Sequence, residues 1–182
     1  MTESVSPVLA AWSSFYVMTG SSAAALTGLM FVVITLVKGE ERLEGARDGT
    51  ATFSTPTVVH LGTALLISAL LCAPWPSAAG PAVVLGLIGL AGVAYVLRVM
   101  RRTQQFTGYD PDLDDWIWYA ILPFVAYTVI LAAAIAFFTL PADAPFAVAA
   151  GVLFLIFIAI RNAWDMVTYI ATGGPNRPPP AA

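Results

Sequence analysis

The sequence predicts an all-α protein, a polytopic bundle of five transmembrane helices with the N-terminus outside and the C-terminus inside, and three observations predict it. Hydrophobic residues make up 59% of the 182-residue chain and charged residues only 10%, with a mean hydropathy of +0.82, whereas soluble domains run near a quarter charged. Uncharged runs at 4–37, 49–97, 116–142 and 144–160 approach or exceed the ~20 apolar residues that one spanning helix requires. The cations alternate in position: Lys38, Arg42 and Arg47 fall in the first loop, Arg98, Arg101 and Arg102 around the third, and Arg161 and Arg177 at the C-terminal end. In a five-span chain all eight basic residues then lie on one side, which the positive-inside rule makes cytoplasmic.

Proline and glycine clusters cut the long runs, because proline lacks an amide hydrogen and clashes with the preceding helical turn. "APWPSAAGP" at 73–81 and "LPADAP" at 140–145 are two such breaks. The spans expected are 9–37, 55–73, 82–98, 116–139 and 145–171 within a single domain of residues 1–172, and the proline-rich tail at 173–182 reads as disordered. Tryptophan prefers the headgroup level, and Trp12 and Trp75 fall at the outer surface of this threading while Trp116, Trp118 and Trp164 fall at the inner one.

The first span carries Gly20, Ala24 and Gly28 at four-residue intervals. Small residues so spaced let helices approach closely where lipid removes the hydrophobic drive. In the third span Gly86, Gly89 and Gly92 make a similar flat strip, as do Ala147 and Gly151 in the fifth.

The second span opens on Thr55 and Pro56, which read as an N-cap and a first helical residue. That puts His60, the one histidine, about a turn inside the inner surface. A structural imidazole bonded to Thr63 or to a neighbouring helix is the plain reading. A proton relay, a pH gate and an axial haem ligand are the functional ones.

Asp112, Asp114 and Asp115 head the fourth span, where acidic groups complement the helix dipole and can cap free amides. Asp110, Asp112 and Asp114 imitate the start of a calcium loop, but Asp115 stands where its glycine belongs and Ile121 where its bidentate glutamate belongs. Pro123 is expected to kink the span and free the carbonyl of Tyr119, with Tyr119 and Tyr127 on the same face.

In the fifth span Arg161 and Asp165 are four residues apart and share a helix face. Arg161 lies sixteen residues beyond Pro145, about 24 Å at the helical rise, in a hydrocarbon core of about 30 Å. Snorkelling to the headgroups explains it plainly. Functionally, Arg161, Asn162 and Asp165 would line an inner vestibule together with His60, Tyr119 and Tyr127.

Other chemistries find little support. With one cysteine, Cys72, neither an intrachain disulfide nor a cysteine metal cage forms. A pI near 4.9 argues against nucleic acid as a partner. There is no H-E-x-x-H, G-x-S-x-G, P-loop or dinucleotide fingerprint, so no catalytic template points to an enzyme and no metal or other cofactor is expected, haem on His60 being the alternative. The first eleven residues hold no Lys or Arg, so the first hydrophobic segment is expected to be retained rather than cleaved as a signal peptide.

At "TGSSAAALTGLMFVVITL", "TPTVVHLG", "DDWIWYAILP" and "RNAWDMVTY" the chain resembles a group of small bacterial integral membrane proteins to which no activity is attached. That resemblance implies a multi-pass protein of the bacterial inner membrane and carries over no functional residues. The function expected is a homo-oligomeric channel or permeation path for a small ion or solute, with the lipid bilayer and further copies as its partners. A non-catalytic accessory subunit bound to another membrane protein, and a redox protein holding haem through His60, are the alternatives.

Overall fold

The computed structural model describes residues 5–40, 47–105 and 113–172, with side chains at 7–35, 55–102 and 113–168. The tail at 173–182, Arg42, Arg177, Asp110 and Asp112 lie outside the described residues, as do the side chains of Lys38 and Arg47. Five long helices follow one another: α1 (Val5–Glu40), α2 (Arg47–Leu71), α3 (Ala79–Gln105), α4 (Leu113–Thr139) and α5 (Ala144–Thr172). No strand occurs among the described residues.

Four apolar stretches, Pro7–Thr35, Ala79–Arg102, Leu113–Thr139 and Ala144–Thr168, are long enough to cross a membrane, while that of α2, Thr55–Leu71, is shorter. Large apolar side chains such as Phe31, Leu87, Ile135 and Phe157 point outward from the bundle. In water such a surface would aggregate. In lipid it is the expected exterior, and the chain is a membrane protein.

Each helix turns a narrow stripe inward. On α1, Leu9, Tyr16, Ala23 and Met30 are buried at seven-residue steps, the period that keeps one seam facing a neighbour. On α2 the stripe is Thr57, His60, Leu61, Ala64, Ile67, Ser68 and Leu71, so the shortest apolar helix also carries the most polar buried face. It packs chiefly on α1 and α5, and through His60 it also reaches α4 and α3. Helix α5, also packed on α4, is the central element, and α3 stands at the edge, held chiefly by α4.

Close approach explains that edge. A Cβ on Gly89 would lie 2.9 Å from the backbone nitrogen of Leu131, and one on Gly92 would overlap the ring of Tyr127. Gly86 faces the methyl of Ala134. The α3 glycine strip is therefore the seam with α4. The α1 strip divides instead: a Cβ on Gly20 would lie 3.0 Å from the Cβ of Ser68, whereas Ala24 is exposed and a Cβ on Gly28 would meet nothing within 4 Å. Four-residue steps advance 40° around a helix of 3.6 residues per turn, which rotates the strip away from α2.

Neighbouring helices are pinned by hydroxyls. Thr19 and Ser68 lie 3.1 Å apart across α1 and α2, and Tyr16 donates to the carbonyl of Pro145 at the start of α5 at 3.0 Å. At that same end Trp12 meets Phe146 edge-on, and the Trp75 indole donates to Leu70 at 2.6 Å.

Helix α3 runs on to Gln105 instead of ending at 98, and two further features differ from the sequence expectation. Helix α2 begins at Arg47 and runs through Pro56, so Pro56 is not its first turn. A proline removes one intrahelical bond, and the helix continues where the turns on either side hold theirs. In α4 the residues Ile117–Ile121 form a π-helical turn just before Pro123, which changes which carbonyl the proline leaves free.

Candidate functional site

The described polar contacts sort the candidate side chains into two groups. The first is built around His60, only 1% exposed. Its Nδ1 lies 3.0 Å from the hydroxyl of Tyr127, which in turn lies 3.4 Å from Thr63 Oγ1, and Thr63 donates to the carbonyl of Val59 at 2.8 Å. Tyr95 of α3 stands edge-on to the imidazole at 6.4 Å between ring centres. His60 Nε2 is buried and has no hydrogen-bond partner among the described residues.

Position follows from local structure. His60 and Thr63 are three residues apart and share a face of α2, so both meet the same tyrosine. Tyr127 reaches them because Gly92 leaves its ring room against α3. Thr63 was legible beside His60 in the sequence, but Tyr95 and the pairing with Tyr127 were not. They join residues 67 positions apart.

The second group lies toward the start of α4 and the end of α5. Arg161 bonds Asp114 at 2.9 Å and also pairs with Asp165 one turn along its own helix. Its guanidinium lies 5.3 Å from the ring centre of Trp118, within cation–π range. Asp114 therefore does more than complement a helix dipole: it ties α4 to α5. The side chains of Arg161, Asp165 and Asp114 are 30%, 43% and 60% exposed, so water or headgroups screen this cluster.

Asn162 sits beside that cluster, fully buried. Its Nδ2 donates to the carbonyl of Trp118 at 3.4 Å, and the π turn explains why that carbonyl is available. The amide of Leu122 bonds Ile117, and Pro123, next in line, has no amide hydrogen. Asn162 Oδ1 is left buried with no partner among the described residues.

Trp118 and Tyr127 are nine residues apart on α4, about 13 Å of helical rise, so the His60 group lies deeper than the Arg161 group. Tyr119, half-buried on the π turn, is nearer the second group. A shallow depression on the outside of α4 and α5, walled by Val129, Gly151, Phe154 and Phe157, is apolar and includes residues of neither group. Among the described residues no three His, Cys, Asp or Glu side chains gather as metal ligands.

Fold and site together define a helical membrane protein with a buried imidazole–phenol–hydroxyl chain. No protein family, curated protein or solved structure was found to match the chain.

Proposed function

We propose that the protein is a homo-oligomeric permeation protein of the bacterial inner membrane for a small ion or polar solute, threading the bilayer five times with its N-terminus outside and its C-terminus inside. The observation that carries this is the His60–Tyr127–Thr63 chain itself. Polar groups at membrane depth are expensive and tend to mark substrate or ion paths, and this chain keeps an unengaged nitrogen inside the bundle. Asn162 and the Arg161, Asp114 and Asp165 cluster form its cytoplasmic approach, with Tyr119 beside them.

The threading is supported by charge. Arg98, Arg101 and Arg102 at the end of α3 and Arg161 near the end of α5 belong to the side that holds the start of α4, as the positive-inside rule asks. The α1 strip of Ala24 and Gly28, uncovered within one chain, is the face proposed to meet a second copy.

Reconstitution in liposomes tests the function. Purified protein is expected to release a solute gradient, and Asp165→Asn and His60→Ala are expected to reduce that release. Tight liposomes under all tested gradients would overturn the reading. A haem absorption band lost in His60→Ala would replace it with a redox role.

A further inference from the structure

The described arginines are of two kinds. Arg161 has its own counterions, Asp114 and Asp165, and its guanidinium rests near Trp118. Arg98, Arg101 and Arg102 at the end of α3 are exposed, and none has an ion pair or hydrogen bond among the described residues. Spaced three and four apart, they are neighbours on one helix surface, where like charges repel. Three cations so placed attract an anion that the described part of the chain does not supply.

Helix periodicity fixes the direction in which they point. Val96, 1% exposed, continues the stripe of Gly89 and Gly92 that packs on α4. At about 100° per residue, Arg98, Arg101 and Arg102 stand roughly 200°, 140° and 240° round from Val96, so the three face away from the bundle. Because α3 stands at the edge, the other described helices leave this side uncovered.

Depth agrees with direction. Arg98 lies nineteen residues beyond Ala79, where α3 begins. That is about 28 Å of helical rise, against a hydrocarbon core of about 30 Å. The arginines therefore begin where the hydrocarbon ends, at the level of the lipid phosphates. On the same outward side Leu87, Leu90 and Leu97 are exposed, with exposed Ala91 and half-buried Ala94 between them. The two alanines recess the surface one and two turns before Arg98, and the leucines flank the recess. A hydrocarbon chain fits there, next to a headgroup held by the arginines.

We propose that the end of α3 is a binding site for one anionic phospholipid: Arg98, Arg101 and Arg102 hold its phosphate, and an acyl chain lies over Ala94 and Ala91. Guanidinium groups pair with phosphate oxygens two at a time, whereas a zwitterionic headgroup brings an ammonium into the same cluster of cations. The site is separate from the His60 chain and independent of whether the protein conducts. It shares with the proposed function only the threading, which makes the leaflet the cytoplasmic one.

Native mass spectrometry of the full chain, released from micelles containing equal amounts of phosphatidylglycerol and phosphatidylethanolamine, tests the site. Phosphatidylglycerol is expected to stay bound in preference. Each arginine near an anionic surface is worth about fivefold in affinity, so Arg98→Gln, Arg101→Gln and Arg102→Gln are each expected to weaken phosphatidylglycerol binding by about that factor. Each single variant keeps seven of the eight basic residues and removes no contact among the described residues, so fold and threading are retained. Arg161→Gln, whose cation is already paired, is expected to leave the binding unchanged. Equal binding of the two lipids, or phosphatidylglycerol binding unmoved in all three α3 variants, would overturn the proposal. A loss in Arg161→Gln as large as theirs would overturn it too, by showing a diffuse effect of charge. Displacement of the lipid by an equal concentration of inorganic phosphate would make the ligand a free anion instead. Micelles have no sides, so a reversed threading would not alter the result, and liposomes that release no solute would leave the site standing.

Discussion

The His60–Tyr127–Thr63 chain and the Arg161–Asp114–Asp165 cluster both tie α4 to a neighbouring helix with polar side chains, yet one is enclosed and uncharged while the other is charged and open along an edge. In the enclosed chain the side chains have only one another and the Val59 carbonyl as partners among the described residues, so removing a partner leaves a buried group stranded. At the open edge a lost partner is replaced by water or a lipid headgroup. The lesson is that the weaker-looking contacts, neutral and up to 3.4 Å long, are the less replaceable ones.

The largest expected effect comes from the residue that makes room for the enclosed chain. Gly92→Leu would place a side chain inside the Tyr127 ring, forcing α3 off α4 or Tyr127 off His60. Overpacking typically costs about 1–3 kcal/mol and occasionally more. Unfolding in micelles is expected to show a loss at the upper end of that range, and a stability equal to wild type would mean that Tyr127 does not rest on Gly92.

Next comes Tyr127→Phe, which keeps the ring and deletes the hydroxyl. A stranded buried polar atom costs about 1–3 kcal/mol in soluble proteins, but hydrogen bonds within membranes average nearer 0.6 kcal/mol. A loss of about 1 kcal/mol is therefore expected. If Tyr127→Phe were harmless while Arg161→Ala were severe, the contrast drawn between the two groups would be reversed.

Arg161→Ala is expected to be milder. Exposed ion pairs are worth about 0.2–1 kcal/mol and the stacking on Trp118 a similar amount. A double-mutant cycle with Asp114→Asn isolates the inter-helix pair, and its coupling is expected to shrink as salt is added. A coupling that ignores salt would show the pair to be shielded like the His60 chain.

How much of this was legible differs between the two groups for a physical reason. Arg161 and Asp165 pair within one helix, where four-residue spacing alone dictates contact, and the sequence displays it. His60 and Tyr127 meet through the register of two helices distant along the chain, which no local spacing encodes. The glycines at 86, 89 and 92 announced a close approach without naming α4 as its partner. Pro123 announced a freed carbonyl, but the π turn moved attention from Tyr119 to Trp118. Pro56 misled, because proline is common in a helix's first turn and its tolerance deeper inside α2 depends on the turns around it.

The smallest effect separates the two halves of the α1 strip. Gly28 has nothing within reach of an added Cβ, whereas Gly20 would press one against Ser68 at 3.0 Å, beside the Thr19–Ser68 contact. Within one chain, Gly28→Ala removes backbone entropy from the unfolded state and adds no clash, so it is expected to stabilise by up to about 0.5–1 kcal/mol. Gly20→Ala carries the same entropic gain but must push α1 from α2, and its net effect is expected to be a loss. The bulkier Gly28→Leu then tests the proposed contact between copies: its Cβ meets nothing in the folded chain, yet it should reduce the oligomer seen by cross-linking in membranes. Unchanged cross-linking in Gly28→Leu would remove this face of α1 from the assembly and leave the enclosed chain to function, if it does, within a single subunit.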